Sequence, residues 1–312
     1  MNGDGLKDVL VGGFSGVPQW IAQTKDGFGE PAAVVDKNGD AVLISEFWDY
    51  EAEDWAESET SGAKGHASSV AAVDWDSDGD TDLLLGGYRK GGLFLRLNEG
   101  SASHMQLATT SQALHVGGQP IQIEGGIGAP RIADWDGDGL FDILIGTIRG
   151  EVLLLHNVGA EGAPEFSEMT SIIEPLPGDA GSKQIKRVEA AKTGGPSAPG
   201  SSFHIEAVDY DGDGDLDLLV GARSEWLTGP IKVPTEDDLK KAADLKQQEE
   251  AAWKVFTEYR DSATDDEAKD KLTTTEKYKA LLKRHRELRS MRIAVTADPK
   301  ERGDFVWLFR RK

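Results

Sequence analysis

The sequence contains no cysteine. That absence excludes disulfide staples, Cys-ligated zinc and thiol catalysis, and it leaves the compartment open. Long apolar runs are missing too. None approaches the roughly 18 residues that a membrane-spanning helix needs, so no span is expected in this chain. Basic residues are scarce: 34 Lys and Arg stand against 55 Asp and Glu, a formal net charge of -21. Nucleic-acid phosphates select the opposite sign, which excludes nucleic acid as a partner. There is no G-x-S-x-G elbow, P-loop or HExxH motif, and the six His form no ligand-spaced pair. What remains is enough for a core. Hydrophobic residues make up 38% of the 312, more than a disordered chain carries.

The acidity is local. Residues 1–226 hold 38 acids against 14 bases, whereas residues 227–312 hold 17 against 20. The acidic stretch repeats a single pattern: Asp-aromatic-Asp-x-Asp-Gly-x-x-Asp, an apolar run, then Gly. One copy runs from Asp74 through Trp75, Asp76, Asp78, Gly79, Asp80 and Asp82 to Leu83-Leu84-Leu85-Gly86. The next runs from Asp134 through Trp135, Asp136, Asp138, Gly139, Leu140 and Asp142 to Ile143-Leu144-Ile145-Gly146. A further copy runs from Asp209 through Tyr210, Asp211, Asp213, Gly214, Asp215 and Asp217 to Leu218-Leu219-Val220-Gly221. At the N-terminus a cut copy keeps Asn2, Asp4, Gly5, Leu6 and Asp8 before Val9-Leu10-Val11-Gly12, without a first position.

Apolar residues precede each complete loop, and a Gly-bearing turn with a second apolar run follows, as in Gly92-Leu93-Phe94-Leu95 and Gly150-Glu151-Val152-Leu153-Leu154-Leu155. Short apolar runs bounded by Gly and Asp read as strands. The unit is strand, acidic loop, strand, turn, strand and a weaker fourth strand, such as Glu165 to Met169. Four-stranded antiparallel sheets repeated radially make a propeller. The expected fold is therefore all-β: a β-propeller or partial propeller of about four four-stranded blades. The loop starts at 74, 134 and 209 lie farther apart than the roughly 40–50 residues of compact propeller repeats, so long loops are expected. Residues 46–60, acidic with Phe47, Trp48, Tyr50 and Trp55 interleaved, and the Gly-, Pro-, Ser- and Lys-rich 174–202 are the two candidates. Trp75, Trp135 and Tyr210 are expected to pack between blades.

Residues 235–291 have few Gly or Pro and read as helices. Thr235 with Asp238 suggests a capping box, followed by a seam of Leu239, Ala242, Trp253, Phe256 and Arg260 that Lys246 and Glu249 weaken. Thr273 with Glu276 would cap a second helix, with Tyr278, Leu281, Leu282, His285 and Leu288 on its packed face. The chain then returns to Arg302-Gly303-Asp304-Phe305-Val306-Trp307-Leu308-Phe309, which matches the turn and third strand at 149–155. Hence the expected division: blades in 1–231 and 299–312, and a helical hairpin inserted in the last blade at 232–298. The Arg-Gly-Asp tripeptide falls in a turn slot and reads as coincidence.

Several carboxylates within nine residues repel one another unless a cation sits among them. Positions 1, 3 and 5 turn their oxygens into one concavity when the loop curls. Gly at position 6 permits the turn, position 7 offers a carbonyl, and position 9 closes the site. Only hard oxygen donors are offered, which suits Ca²⁺ over zinc or copper. An EF-hand would need Glu at position 12 and flanking helices, but Leu85, Ile145 and Val220 stand there. A merely solvated acidic turn does not account for three complete copies in one context.

These residues resemble the FG-GAP/VCBS family, the repeats of integrin alpha-chain propellers and many bacterial surface proteins. Phe28-Gly29 and Gly128-Ala129-Pro130 match its namesake elements. The resemblance implies calcium ligands at Asp74, Asp76, Asp78 and Asp82, at Asp134, Asp136, Asp138 and Asp142, and at Asp209, Asp211, Asp213 and Asp217. The carbonyls of Asp80, Leu140 and Asp215 join them, and a weaker fourth site falls on Asn2, Asp4, Leu6 and Asp8. The expected function is a non-enzymatic, calcium-binding interaction module of adhesion type, with a protein or glycan ligand, extracellular, at the cell surface or in the periplasm. The alternatives are a carbohydrate-binding or polysaccharide-degrading propeller and a scaffold domain of a larger envelope protein. The first unit lacks its opening strand and the last its fourth. An open arc or an imperfectly closed ring is therefore expected, with further residues upstream that include an export signal.

Overall fold

The computed structural model describes residues 1–12, 17–43, 46–49, 54–57, 67–87, 91–124, 126, 128–174, 188–189, 196, 198–229, 233–263, 266–297 and 300–311. Among the described residues it is all-β with three added helices, and none of the sheets closes into a barrel. The chain divides into two compact units. One comprises 1–187, 196–225 and 302–312; the other comprises 188–195 and 226–301.

In the first unit the acidic-loop pattern produces its sheet twice in full. Ala67–Val73, Asp82–Gly87, Leu93–Arg96 and Gln112–Ala113 form one four-stranded antiparallel sheet. Gly128–Ala133, Asp142–Thr147, Val152–Leu155 and Thr170–Ile173 form the next, in the same order. The N-terminal copy contributes Val9–Val11 to a three-stranded sheet with Gln19–Ile21 and Ala32–Ala33. After the last acidic loop, Asp217–Leu227 pairs with Ser201–Val208 on one side and with Lys300–Phe309 on the other.

The continuous apolar runs are explained by burial on both faces. Successive side chains of a strand point to opposite sides. Ile143 and Ile145 enter a core shared with Ala71, Val73 and Leu84 of the preceding sheet. Leu144, between them, enters a core shared with Phe203, Ile205, Leu218 and Val220 of the following sheet. Likewise Leu83 and Leu85 face away from Leu84, toward Val34, Val42 and the N-terminal sheet's Leu10 and Trp20. Among the described residues, three apolar layers thus separate the four sheets that carry acidic-loop copies, taken in sequence order.

The Gly that ends each second strand permits this stacking. A Cβ on Gly86 would lie 2.0 Å from the Gly128 carbonyl oxygen, and one on Gly146 would lie 2.5 Å from that of Phe203. Each of these glycines lets the first strand of the next sheet approach.

Three expectations about the strands and loops need correction. The fourth strand is Thr170–Ile173, not Glu165 to Met169. Asn157 Oδ1 accepts the N–H groups of Gly159 and Glu165 and closes this stretch into a turn, while Phe166 and Met169 pack in the core. The Arg302-Gly303-Asp304 tripeptide lies inside the strand Lys300–Phe309 rather than in a turn, and Asp304 pairs with Arg223 at 3.0 Å. Tyr210 is exposed, unlike Trp75 and Trp135, which pack against the cores between sheets.

The excursion at 46–60 contains a hairpin, Glu46–Asp49 paired with Asp54–Glu57, with Trp48 opposite Trp55. Tyr50, most of 174–202, and the expected boundaries at 231–232 and 298–299 lie outside the described residues.

The second unit is built on helices α1 (Glu236–Arg260), α2 (Asp266–Thr274) and α3 (Glu276–Thr296). Thr235 and Asp238 form the expected capping box. The cap of α3 is Thr275, whose hydroxyl accepts the Tyr278 N–H, because α2 occupies the residues before it. Phe256 of α1 meets Tyr278 of α3 with ring centroids 5.0 Å apart, and Leu245 and Leu288 are buried. Leu239, expected on the seam, is exposed. Glu249, which weakened the seam in the sequence, accepts a 2.6 Å hydrogen bond from Arg292 of α3 and is thereby neutralised.

Candidate metal sites

Each complete acidic loop joins the first and second strands of its sheet, between the paired residues Val73 and Asp82, Ala133 and Asp142, and Val208 and Asp217. The loops curl by local hydrogen bonds. The position-1 carboxylates of Asp74, Asp134 and Asp209 accept the N–H of Gly79, Gly139 and Gly214, at 3.1, 3.0 and 3.2 Å. The position-5 carboxylates of Asp78, Asp138 and Asp213 accept the N–H of position 7 at 2.9, 2.8 and 3.0 Å. The glycines at position 6 have φ near +90°, and position 4 is left-handed as well: Ser77, Gly137 and Gly212 have φ of 59°, 80° and 77°. Such backbone is free for glycine and strained for Ser77.

The outcome is the same in all three loops. One carboxylate oxygen from each of positions 1, 3 and 5 lies within 4.8 Å of the others. The N-terminal copy curls alike: Asn2 Oδ1 accepts the Asp4 N–H and Asp4 Oδ1 accepts the Leu6 N–H.

Residues 74–145 match the model of the FG-GAP-like repeat. This stretch is consistent with an FG-GAP-like repeat. The match starts on the first Asp of one acidic loop and runs through the next loop into its second strand. No curated protein matches the chain. An FG-GAP-like repeat suggests a β-propeller-type interaction module.

Position 9 behaves differently from positions 1, 3 and 5. In the FG-GAP-like stretch Asp82 and Asp142 are each 1% exposed. Asp82 Oδ2 accepts the Trp75 N–H at 2.9 Å and its Oδ1 accepts the Asn98 N–H at 2.6 Å. Asp142 does the same with Trp135 and Asn157, at 2.9 and 2.8 Å. Outside the matched stretch Asp217 binds the N–H groups of Tyr210 and Arg311, and Asp8 binds the N-terminal ammonium and the Gln23 N–H. Position 9 is thus a bracket that ties the loop's start to a distant segment. A carboxylate has about four acceptor positions, so two remain for a cation. Burial raises the pKa of Asp82 and Asp142, and the backbone N–H groups oppose that rise. For Asp8 burial also pulls upward, but the ammonium and the N–H donors outweigh it and the pKa is lowered.

Asn98 and Asn157 were not singled out in the sequence. Asn98 Oδ1 accepts the N–H of Gly100 and Gln106, shaping the turn at 101–104, just as Asn157 shapes that at 160–163. These turns press on the acidic loop of the preceding copy. A Cβ on Gly3 would lie 2.6 Å from Ser103 Cα, and one on Gly162 would lie 2.6 Å from the Asp76 carbonyl oxygen. The Asn-x-Gly that recurs after the third strand of both complete sheets was the available signal.

Loop 74–82 carries one further acid. Asp80, at position 7, is 5% exposed, and neither of its carboxylate oxygens has a hydrogen-bond partner. Burial, with the charges of Asp78, Asp82 and Asp76, raises its pKa to about 6, against a lowering by the nearby Asn98 side chain, whose amide stands outside hydrogen-bond geometry. Among the described residues no basic side chain pairs with Asp74, Asp76 or Asp78. The donor set, hard oxygens with an uncompensated buried carboxylate beside them, fits a divalent cation such as Ca²⁺. The acidic clusters could hold a metal.

Trp75 lies 5.5 Å from Phe141 and 5.7 Å from Phe166, centroid to centroid. Trp135 carries the Arg311 guanidinium 5.0 Å from its ring centre. Both rings are thus engaged by the protein itself. No helix among the described residues is long and apolar enough to cross a membrane.

Proposed function

We propose that the chain is a calcium-stabilised, propeller-type interaction module without enzymatic activity. The observation that carries this reading is the convergence of carboxylates from positions 1, 3 and 5 in three separate loops. Asp74, Asp76 and Asp78, Asp134, Asp136 and Asp138, and Asp209, Asp211 and Asp213 supply these oxygens. The carbonyls of Asp80, Leu140 and Asp215 and the second lone pairs of Asp82, Asp142 and Asp217 complete three sites. Asn2, Asp4, Leu6 and Asp8 make a fourth and weaker one, since a neutral amide replaces a carboxylate. Loop sites of this exposure suit the calcium concentrations outside the cell, where modules bind with Kd of about 10⁻⁴–10⁻³ M. The reading therefore places the module at the cell surface or in the periplasm, with a protein or glycan ligand. The helical segment 232–298 is an insertion in the last sheet, and its deletion should leave calcium binding intact.

Calcium bound only to the folded chain at ten times Kd adds about 1.4 kcal/mol per site. Chelation should therefore lower the melting temperature, and calorimetry should register calcium binding. A chain that melts identically with and without chelator, and gives no heat with calcium, overturns the assignment. A glycan array with and without calcium separates a carbohydrate ligand from a protein one.

A further inference from the structure

The three acidic loops are not chemically equivalent, and one of the differences lies at a position on the neighbouring strand end. The residue just before the N–H donor to position 9 is Leu97 for the first complete loop, His156 for the second and Arg310 for the third. Leu97 packs in the core. Arg310 places its guanidinium 3.4 Å from Asp211 Oδ2 and so supplies a fixed positive charge at position 3. His156 directs Nδ1 at two carboxylates, 3.5 Å from Asp136 Oδ2 and 3.7 Å from Asp142 Oδ1. That nitrogen is buried and has no hydrogen-bond partner, and all three donor atoms lie within 4.8 Å of one another.

We propose that His156 Nδ1, Asp136 Oδ2 and Asp142 Oδ1 form a mixed nitrogen–oxygen site for a borderline divalent transition metal, with zinc as the probe. Zinc bonds imidazole nitrogen and carboxylate oxygen at about 2.0–2.2 Å, so two such donors at a tetrahedral angle stand about 3.4 Å apart. The observed separations are close to this. The gap is too long for a good hydrogen bond and near the edge of a small coordination polyhedron. Calcium makes little use of imidazole, whereas zinc, nickel and copper favour it. Asp142 is already oriented for the role, since its carboxylate accepts the N–H groups of Asn157 and Trp135, an outer-shell arrangement common to metal-ligating carboxylates. Asp136 is half-exposed and leaves room for water to complete the coordination. The other two complete loops lack this donor, so among the described residues the site is single. It shares Asp136 and Asp142 with the calcium reading of this loop but does not rest on it, because Asp134 and Asp138 take no part.

The test titrates the full chain with zinc against a competing indicator, in parallel with calcium titrations, for the wild type, His156→Leu and Asp138→Ala. Leu97 holds the corresponding place in the preceding sheet, so His156→Leu should fold. It should lose zinc affinity on the order of tenfold or more, the least expected when a ligand rather than an outer-shell partner is removed, and keep its calcium titration. Asp138→Ala should keep zinc and weaken calcium. In ¹⁵N-histidine-labelled wild type, zinc should shift the Nδ1 resonance of His156. Zinc affinity that is unchanged in His156→Leu, or a wild-type His156 resonance that zinc does not move, overturns the proposal. A chain that binds zinc as expected but shows no calcium response removes the calcium reading and leaves this one standing.

Discussion

Asp82 Oδ1 accepts the backbone N–H of Asn98 at 2.6 Å, across 16 residues of chain. With the second oxygen on the Trp75 N–H, this one side chain joins the start of an acidic loop to the end of the third strand of its sheet. The position that closes the metal site in the sequence pattern is also a structural clamp. Hydrogen bonds to a charged acceptor contribute about 1.5–3 kcal/mol each and are not additive. Asp82→Ala should therefore cost about 3 kcal/mol even in chelator. Asp76→Ala removes a carboxylate that clamps nothing, and should alter stability in chelator by no more than about 0.5 kcal/mol while abolishing one calcium site. Denaturant melts of both variants in chelator and in calcium check the separation; equal losses in chelator would deny position 9 its clamp role.

The metal-free chain should lose stability as pH rises. The folded pKa of Asp80, about 6, lies above its ordinary value of 3.8, and burial moves Asp82 and Asp142 in the same direction. A carboxyl raised in the folded state binds its proton more tightly there than in the unfolded chain. Its contribution is complete below the unfolded pKa and is lost as pH climbs through the folded one. Melting temperatures in chelator should thus fall between pH 4 and pH 7, ~3 pH units that bracket both values, and Asp80→Asn should flatten the slope. Calcium should oppose the loss, since it compensates the ionised forms. A metal-free melting temperature that climbs over this range would contradict the assignment.

Gly146→Ala should be severely destabilising. The added Cβ would stand 2.5 Å from the Phe203 carbonyl oxygen, a backbone atom of the adjoining strand that cannot swing aside. Overpacking of this kind costs about 1–3 kcal/mol or more. Gly29→Ala, whose Cβ meets its nearest atom at 3.6 Å, is the matched control. Thermal melts in saturating calcium should show a large drop for the first and little change for the second.

Ser77→Gly should stabilise the chain. Ser77 holds φ of 59°, where positions 137 and 212 have glycine. Relief of left-handed strain gains about 1–2 kcal/mol, and the greater freedom of glycine in the unfolded chain returns about 0.5–1 of it. A net gain of up to about 1.5 kcal/mol in chemical denaturation is expected. A loss would mean that the Ser77 side chain does more than occupy its turn.

Two adjacent strand residues show how much was legible in the sequence. Ile143 and Leu144 read as one apolar run, and that was enough to place a strand; it did not say that they serve two different cores. The helices divide similarly. Thr235 and Asp238 form their capping box from residues three apart, and the sequence revealed it. The α1 seam was only partly legible, because Leu245 rather than Leu239 is buried.

The acidic loops are written in the sequence itself: which residues carry oxygens, where glycine allows the curl, and that a strand runs on from each position 9. Those features rest on contacts between residues two to five apart, and spacing records such contacts directly. What surrounds each loop was settled only when the chain folded. Folding set Asp82 on Asn98, buried Asp80 without a partner, and brought Leu97, His156 and Arg310 to the same place beside three otherwise similar loops. These relationships cross 16 to 99 residues of chain, as Asp82 to Asn98 and Asp211 to Arg310 do, and depend on strand pairing that brings separate segments together. No local periodicity carries that information.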